Sequence, residues 1–79
     1  MRTEHVIKLA PADIQRFVNT ASKCDFDIDI ASDGYTNQYV DAKSILGVMS
    51  LNLRGNLVVS YSGYNADFEN LIRGYAIAC

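Results

Sequence analysis

The stretch Asp25-Phe26-Asp27-Ile28-Asp29-Ile30 alternates an acidic residue with a hydrophobic one over six positions. Because side chains along a β-strand point alternately to its two faces, this order places the hydrophobic residues on one face and the aspartates on the other. A helix would spread the same charges around its surface. The pattern therefore predicts a half-buried strand. Its aspartates are expected to form a solvated face and not a cation site, since same-face residues lie roughly 6.6 Å apart.

The residues before this strand predict another strand followed by a helix. An apolar segment at residues 6–9 has the composition of a short first strand. Pro11 is tolerated in a first helical turn, where Asp13 also suits the helix dipole. The positions i, i+3, i+4 and i+7 of one helical face are then occupied by Ile14, Phe17, Val18 and Ala21.

The residues after it predict a hairpin and a short helix. The turn-forming sequence at residues 32–34 contains Gly34, which supplies a positive φ where one is needed. Residues 35–41 are rich in Tyr, Thr and Val and favour a strand that pairs back. Residues 44–51 then form a short helix that begins at Ser44 as its N-cap.

The last part of the chain predicts a strand at residues 57–62 and a final helix capped by Asn65. That helix has an apolar stripe formed by Phe68, Leu71, Ile72 and Tyr75. The predicted order is βαββαβα. Two crossovers and a hairpin in this order make an α+β fold, with a four-stranded, mainly antiparallel sheet and three helices on one face.

The composition suits one globular domain spanning residues 1–79. Of the 79 residues, 49% are hydrophobic and 20% are charged. A net charge of −2 with scattered basic residues argues against binding to nucleic acid. No apolar run reaches the roughly 18–20 residues of a membrane span, and the first residues lack the apolar core of a signal peptide. We therefore expect a cytoplasmic protein.

The two cysteines, Cys24 and Cys79, are too few for a disulfide framework or a metal cluster. In a cytoplasmic protein they are expected to be reduced thiols. Cys24 lies between a helix and a strand and is expected to be an apolar filler. We expect no metal and no cofactor.

The segment Lys43-Ser44-Ile45-Leu46-Gly47-Val48-Met49-Ser50-Leu51 resembles the regulatory-serine segment of the histidine-containing phosphocarrier (HPr) family. Thr20-Ala21-Ser22-Lys23 is similar to the end of the first helix in that family, and the predicted element order matches the family along nearly the whole chain. The resemblance implies an HPr-like open-faced β-sandwich. It also implies partners among the proteins of the phosphoenolpyruvate-dependent sugar phosphotransferase system or of bacterial catabolite regulation.

The chain departs from the family at the phosphorylation motif. The family carries His-Ala-Arg-Pro at the start of its first helix, where the histidine accepts a phosphoryl group. Counting back from residues 20–23 places the histidine position at Ala10 and the arginine position at Ala12. A shift of register does not restore the motif, because residues 6–13 contain neither His nor Arg. His5, which precedes the first strand pattern, is interpreted as an exposed or edge-strand residue.

The resemblance implies that Ser44 is a phosphorylation site and that the helix after it binds partners. A phosphate on Ser44 would lie at a helix N-terminus, where the dipole stabilises it by about 0.3–1 kcal/mol. The expected contact residues are Lys43, Ile45, Leu46 and Met49. Ser44 is also expected to cap the helix, which is compatible with either role.

Three functions follow from these observations. The first is a regulatory or docking module that is not an enzyme. The second is a true phosphocarrier that uses another nucleophile. The third is a small acylphosphatase-like enzyme, which requires an Arg in the phosphate-binding first loop that this chain lacks.

Overall fold

The computed structural model describes residues 2–35 and 37–76. Its strands and helices are β1 (Thr3–Ile7), α1 (Ile14–Ser22), β2 (Ile28–Ser32), β3 (Val40–Asp41), α2 (Ile45–Met49), β4 (Leu57–Tyr61) and α3 (Ala66–Tyr75). A 3-10 turn at Pro11–Asp13 leads into α1. The βαββαβα order predicted from the sequence is confirmed. Cys79, which the sequence singled out, lies outside the described residues.

The four strands form one sheet in the order β1-β4-β2-β3, and every neighbouring pair is antiparallel. β1 and β2 both run antiparallel to β4, so they run parallel to each other, and α1 makes the crossover between them. In the same way, α2 connects β3 to β4 across β2. The start of α1 and the start of α2 therefore lie at opposite ends of the sheet.

A single hydrophobic core joins one face of the sheet to all three helices. The predicted stripe of α1 is buried at every position, and so are Phe68, Leu71 and Ile72 of α3. The strands contribute the alternate residues Ile28, Ile30, Leu57, Val59 and Tyr61, all of which are inaccessible to solvent. The alternating strand positions and the helical stripes predicted from the sequence are therefore the residues that form this core.

Two predicted strands are shorter in the structure than the sequence pattern indicates. β2 begins at Ile28 and not at Asp25, because Ile28 pairs with Tyr61, the last residue of β4, and the residues before it have no partner strand. In the predicted strand at residues 35–41, only Val40–Asp41 pairs with β2. The N–H groups of Tyr35 and Gln38 instead donate within turns, to the carbonyl oxygens of Ser32 and Tyr35, both at 2.9 Å.

The face of the sheet opposite the helices is partly covered by polar side chains. The Arg2 guanidinium donates to Ser60 Oγ and to Asp29 Oδ2, both at 2.8 Å. The Tyr39 hydroxyl reaches across the sheet from the β3 side and donates to Glu4 Oε2 on β1 at 3.4 Å. This cover explains why Ser60 on β4 is only 3% exposed.

Candidate functional site

The start of α1 presents two methyl groups, Ala10 and Ala12, at the positions where the family resemblance predicts a histidine and an arginine. Ala10 has extended backbone angles (φ −80°, ψ 155°), and Pro11 follows it as the first residue of the 3-10 turn. The side chains of Ala10 and Ala12 are both exposed. Neither methyl group can accept a phosphoryl group or stabilise its charge.

Asp13 places a carboxylate at this helix start. Its Oδ2 accepts a hydrogen bond from the Ala10 N–H at 3.2 Å, and its own N–H donates to the Ala10 carbonyl at 2.9 Å. Burial raises the pKa of the nearby Tyr75 phenol, and the negative charge of Asp13 raises it further. The Asp13 carboxylate is therefore held at the helix start, close to both Tyr75 and Arg16.

His5 lies within β1, an edge strand of the sheet, and not before the strand as the sequence pattern suggested. It pairs with Val59 and faces the helix side of the sheet. Its ring stacks on Tyr61, with ring centroids 6.1 Å apart and an interplanar angle of 29°. His5 Nε2 is buried and has no hydrogen-bond partner among the described residues. This nitrogen is therefore enclosed by the protein.

Ser44 caps α2 as predicted. Its backbone is extended, and its Oγ accepts a hydrogen bond from the Gly47 N–H at 3.2 Å. The Ser44 carbonyl accepts the first helical bond, from the Val48 N–H at 3.0 Å. The residue is half-buried at the end of the sheet opposite the start of α1.

Lys43 is anchored to the end of α1. Its Nζ donates to the Cys24 carbonyl oxygen at 3.0 Å, and its backbone N–H donates to Asp41 Oδ1 at 2.9 Å. The side chain is half-buried. Lys43 therefore connects the residue before the α2 cap to the loop that follows α1.

Two of the three apolar residues predicted for partner contact are exposed on α2. Leu46 is 81% exposed and Met49 is 57% exposed. Ile45 is instead half-buried and packs against the core. The adjacent Leu46 and Met49 form the apolar surface of this helix, which we call the α2 patch, and Ile45 contributes to it only at its edge.

Cys24 is buried, as its apolar-filler role predicts. It is 5% exposed, and its Sγ lies 3.6 Å from the Thr20 carbonyl oxygen. Burial raises the pKa of the Cys24 thiol. The positive charge of Lys43 lowers this pKa, but by less than burial raises it. A protonated thiol is a poor nucleophile, so Cys24 is unsuited to covalent chemistry.

Residues 2–35 and 37–76 contain no cluster of three or more His, Cys, Asp or Glu side chains arranged to hold a metal ion. Of the alternating aspartates, Asp29 forms an ion pair with Arg2 at 2.8 Å on the face away from the helices. Sequence reasoning missed this pair, as well as the bond that Tyr61 Oη donates to Glu69 Oε2 at 2.6 Å. The partners are 27 and 8 residues apart, and no local pattern indicates such pairs.

The sheet is antiparallel, has the order β1-β4-β2-β3 and is packed against three helices, of which α2 is capped by Ser44. This arrangement defines an α+β open-faced sandwich of the phosphocarrier type. A model of the PTS-HPr family, described as "PTS HPr component phosphorylation site", matches residues 6–72. The chain belongs to the HPr family. Membership supports a role related to the sugar phosphotransferase system, whose proteins interact with HPr proteins, and HPr-like proteins are generally not enzymes.

Two HPr proteins are among the solved structures that are similar to this chain. HPr from Thermoanaerobacter tengcongensis is 32% identical, with a TM-score of 0.69 over 94% of this chain and 92% of that one. A phosphocarrier protein HPr from Bacillus anthracis str. Ames is 23% identical and shows the same fold, with a TM-score of 0.66 over 98% of this chain and 96% of that one. A comparison with curated proteins finds no match. No helix among the described residues has the length and apolar character to cross a membrane.

Proposed function

We propose that this chain is a docking and regulatory module related to the sugar phosphotransferase system and does not carry phosphate on a histidine. The proposal includes a cytoplasmic location, where that system's general proteins act. The observation that carries it is the start of α1, where Ala10 and Ala12 present methyl groups. A phosphocarrier requires a nucleophile that ionises near neutral pH and forms a labile bond to phosphorus, as an imidazole does.

The geometry of His5 supports this proposal. Its Nε2 is buried and the ring stacks on Tyr61, within a strand whose residues are fixed by pairing with β4. Phosphoryl transfer requires a nucleophilic atom that the donor can approach. His5 Nε2 is therefore not open to a phosphoryl donor in this structure.

The docking surface in this proposal is the α2 patch together with Ser44 and Lys43. Leu46 and Met49 are large apolar side chains exposed side by side on one short helix, and flexible Met side chains adapt well to partner surfaces. Phosphorylation of Ser44 would add a charge at the other end of the same helix. The family resemblance is the reason to propose partners from the phosphotransferase system.

A binding experiment tests the docking surface. We expect a tagged wild-type chain to capture a phosphotransferase-system or catabolite-regulation protein from the source cell. Titration of that purified protein should then show weaker binding to Leu46→Glu and Met49→Glu. The matched control is Tyr64→Glu, because Tyr64 is 74% exposed and belongs to the turn before α3 and not to α2. Equal binding by all three variants and wild type would remove the α2 patch from the proposal.

Two serine variants separate docking from a phosphate switch. Ser44→Asp introduces a negative charge and keeps an N-capping residue, whereas Ser44→Ala removes the cap without adding charge. A regulated surface predicts a change of affinity in Ser44→Asp only. Equal affinity of all forms, with a loss in Met49→Glu, would indicate docking without a phosphate switch.

A second candidate is a phosphocarrier that uses Asp13. This carboxylate lies at the start of α1, three residues from Ala10, and carboxylates form acyl phosphates in some enzymes. Its product would be an acyl phosphate, which hydroxylamine cleaves and which differs from acid-labile phosphohistidine. A transfer assay with phosphoenolpyruvate and the general phosphotransferase enzyme, followed by acid or hydroxylamine treatment, distinguishes an acyl phosphate from a phosphohistidine.

A further inference from the structure

An open groove of about 540 Å³ lies between the β2–β3 connection and the C-terminal end of α2. Its lining residues are Ser32, Tyr35, Gln38, Tyr39, Val40, Ser50, Leu51 and Asn52. The volume falls within the range of small-molecule sites, roughly 300–1,000 Å³. Its lining includes neither Ser44 nor Lys43, and no residue from the start of α1.

None of the lining side chains among the described residues is charged, although 20% of the residues in the chain are. A site for a phosphate, a carboxylate or an ammonium group ordinarily supplies an opposite charge to offset the loss of hydration. This groove offers hydroxyl and amide groups instead. Its composition therefore favours a ligand that is polar and neutral.

Several polar atoms of the groove form hydrogen bonds within the protein, and the others are free to bind a ligand. Ser50 Oγ donates to the Gly47 carbonyl at 2.6 Å, and Ser32 Oγ accepts from the Asn52 N–H at 3.2 Å. Asn52 Oδ1 accepts from the Arg54 N–H at 3.2 Å. The Tyr39 hydroxyl donates to Glu4. Among the described residues, the Asn52 Nδ2, the Tyr35 hydroxyl and the Gln38 side-chain amide have no hydrogen-bond partner, and together they can both donate and accept.

Tyr35 also provides an aromatic surface. It is 61% exposed, while Leu51 on the α2 side of the groove packs against the core. A ring that is open on one face, beside amide groups, can hold the C–H face of a ligand while the amides bind its hydroxyls.

We propose that this groove binds a neutral saccharide, in size a monosaccharide or disaccharide, stacked on Tyr35 and hydrogen-bonded to Gln38 and Asn52. A peptide is the less favoured occupant, because an extended peptide would add to the β3 edge and β3 offers only two paired residues. The saccharide site stands independently of the docking function proposed above.

The test is a titration of the isotopically labelled full chain, followed by NMR. The probes are glucose, galactose, N-acetylglucosamine and maltose, with glucose 6-phosphate and a proline-rich peptide as comparisons. We expect at least one neutral sugar to give saturable shifts at the amides of Tyr35, Gln38 and Asn52. Removing the ring in Tyr35→Ala is expected to weaken that binding about tenfold.

Two further variants complete the test. Gln38→Ala should also weaken sugar binding, whereas Tyr64→Ala, which removes an exposed tyrosine outside the groove, should bind as wild type does. The proposal is overturned if no neutral sugar gives a saturable shift, or if the shifts survive in Tyr35→Ala. Preferential binding of glucose 6-phosphate or of the peptide would also overturn it.

Discussion

At Gly63, both the backbone conformation and the neighbouring Phe26 ring disfavour a side chain. Its φ is +153°, and an added Cβ would lie 2.5 Å from the Phe26 ring. Gly34 has a φ of +91° but no atom within 4 Å of the corresponding position. A substitution at Gly34 therefore tests backbone strain alone, whereas one at Gly63 tests backbone strain together with steric overlap.

We expect Gly63→Ala to lower the free energy of unfolding by about 3 kcal/mol, because strain and overlap add. Gly34→Ala should lower it by only about 1 kcal/mol, from backbone strain alone. Urea denaturation of the two variants beside wild type measures both values. Equal losses would mean that the Phe26 ring moves aside at little cost.

Tyr61 makes the stability of the fold depend on pH in the alkaline range. Burial raises the pKa of its phenol above the ordinary value of 10.0, and the hydrogen bond to Glu69 and the charge of Glu69 raise it further. The folded state thus holds the proton more tightly than the unfolded chain does. The resulting stability is complete below pH 10 and declines as the pH rises from there toward the folded pKa.

We therefore expect the urea midpoint of wild type to fall as the pH rises above about 10. Tyr61→Phe should show a shallower fall, because the titrating group is gone, although the raised pKa values of Tyr39 and Tyr75 leave some dependence. The slopes of the midpoint against pH provide the comparison. The same slope in both proteins would contradict the role given to Tyr61.

At the scale of elements, the sequence predicts what depends on local order and fails where long-range pairing decides. The stripe of α1 and the caps at Ser44 and Asn65 are local and are found as predicted. The starts of β2 and β3 depend on where β4 ends and on turn bonds within the β2–β3 connection, so periodicity alone extends both strands too far.

The candidate site divides in the same way. Exposure of Leu46 and Met49 follows from helical spacing, whereas the half-burial of Ile45 depends on how α2 packs against the core. The bond from Lys43 to the Cys24 carbonyl joins residues 19 positions apart. The uncharged groove also combines two separate segments, so no single stretch of sequence predicts it.

The α2 cap gives a prediction at this scale. Ser44→Ala removes the acceptor of the Gly47 N–H and should lower the free energy of unfolding by about 1 kcal/mol. Ser44→Asp should stay close to wild type, because Asp is as good an N-cap as Ser. Hydrogen exchange at the α2 amides, together with urea denaturation, checks both variants. An unchanged Ser44→Ala would show that this cap contributes nothing measurable.

At the scale of the whole molecule, the fold places the start of α1 and the start of α2 at opposite ends of the sheet, and these two regions differ in their resemblance to the HPr family. At the start of α1, at one end of the sheet, Ala10 and Ala12 stand where the resemblance predicts a histidine and an arginine, and Asp13 follows them. The start of α2, at the opposite end, retains the segment that resembles the family's regulatory serine region. These two regions are the basis for our proposal of an HPr scaffold that keeps a recognition surface without the phosphocarrier chemistry.

The variant that carries both Ala10→His and Ala12→Arg serves as the matched control for this interpretation. It restores the nucleophile and the cation to the positions that the resemblance indicates. If the rest of the scaffold still engages the general phosphotransferase enzyme, this variant should become labelled. Labelling of the variant alone would show that the missing side chains are what prevents transfer.

The most direct measurement is phosphoryl transfer from phosphoenolpyruvate through the purified general phosphotransferase enzyme, with an HPr that carries the histidine as positive control. Our account predicts no acid-labile label on the wild-type chain and no hydroxylamine-sensitive label on Asp13. A stable phosphohistidine at His5, formed in this relay, would contradict it.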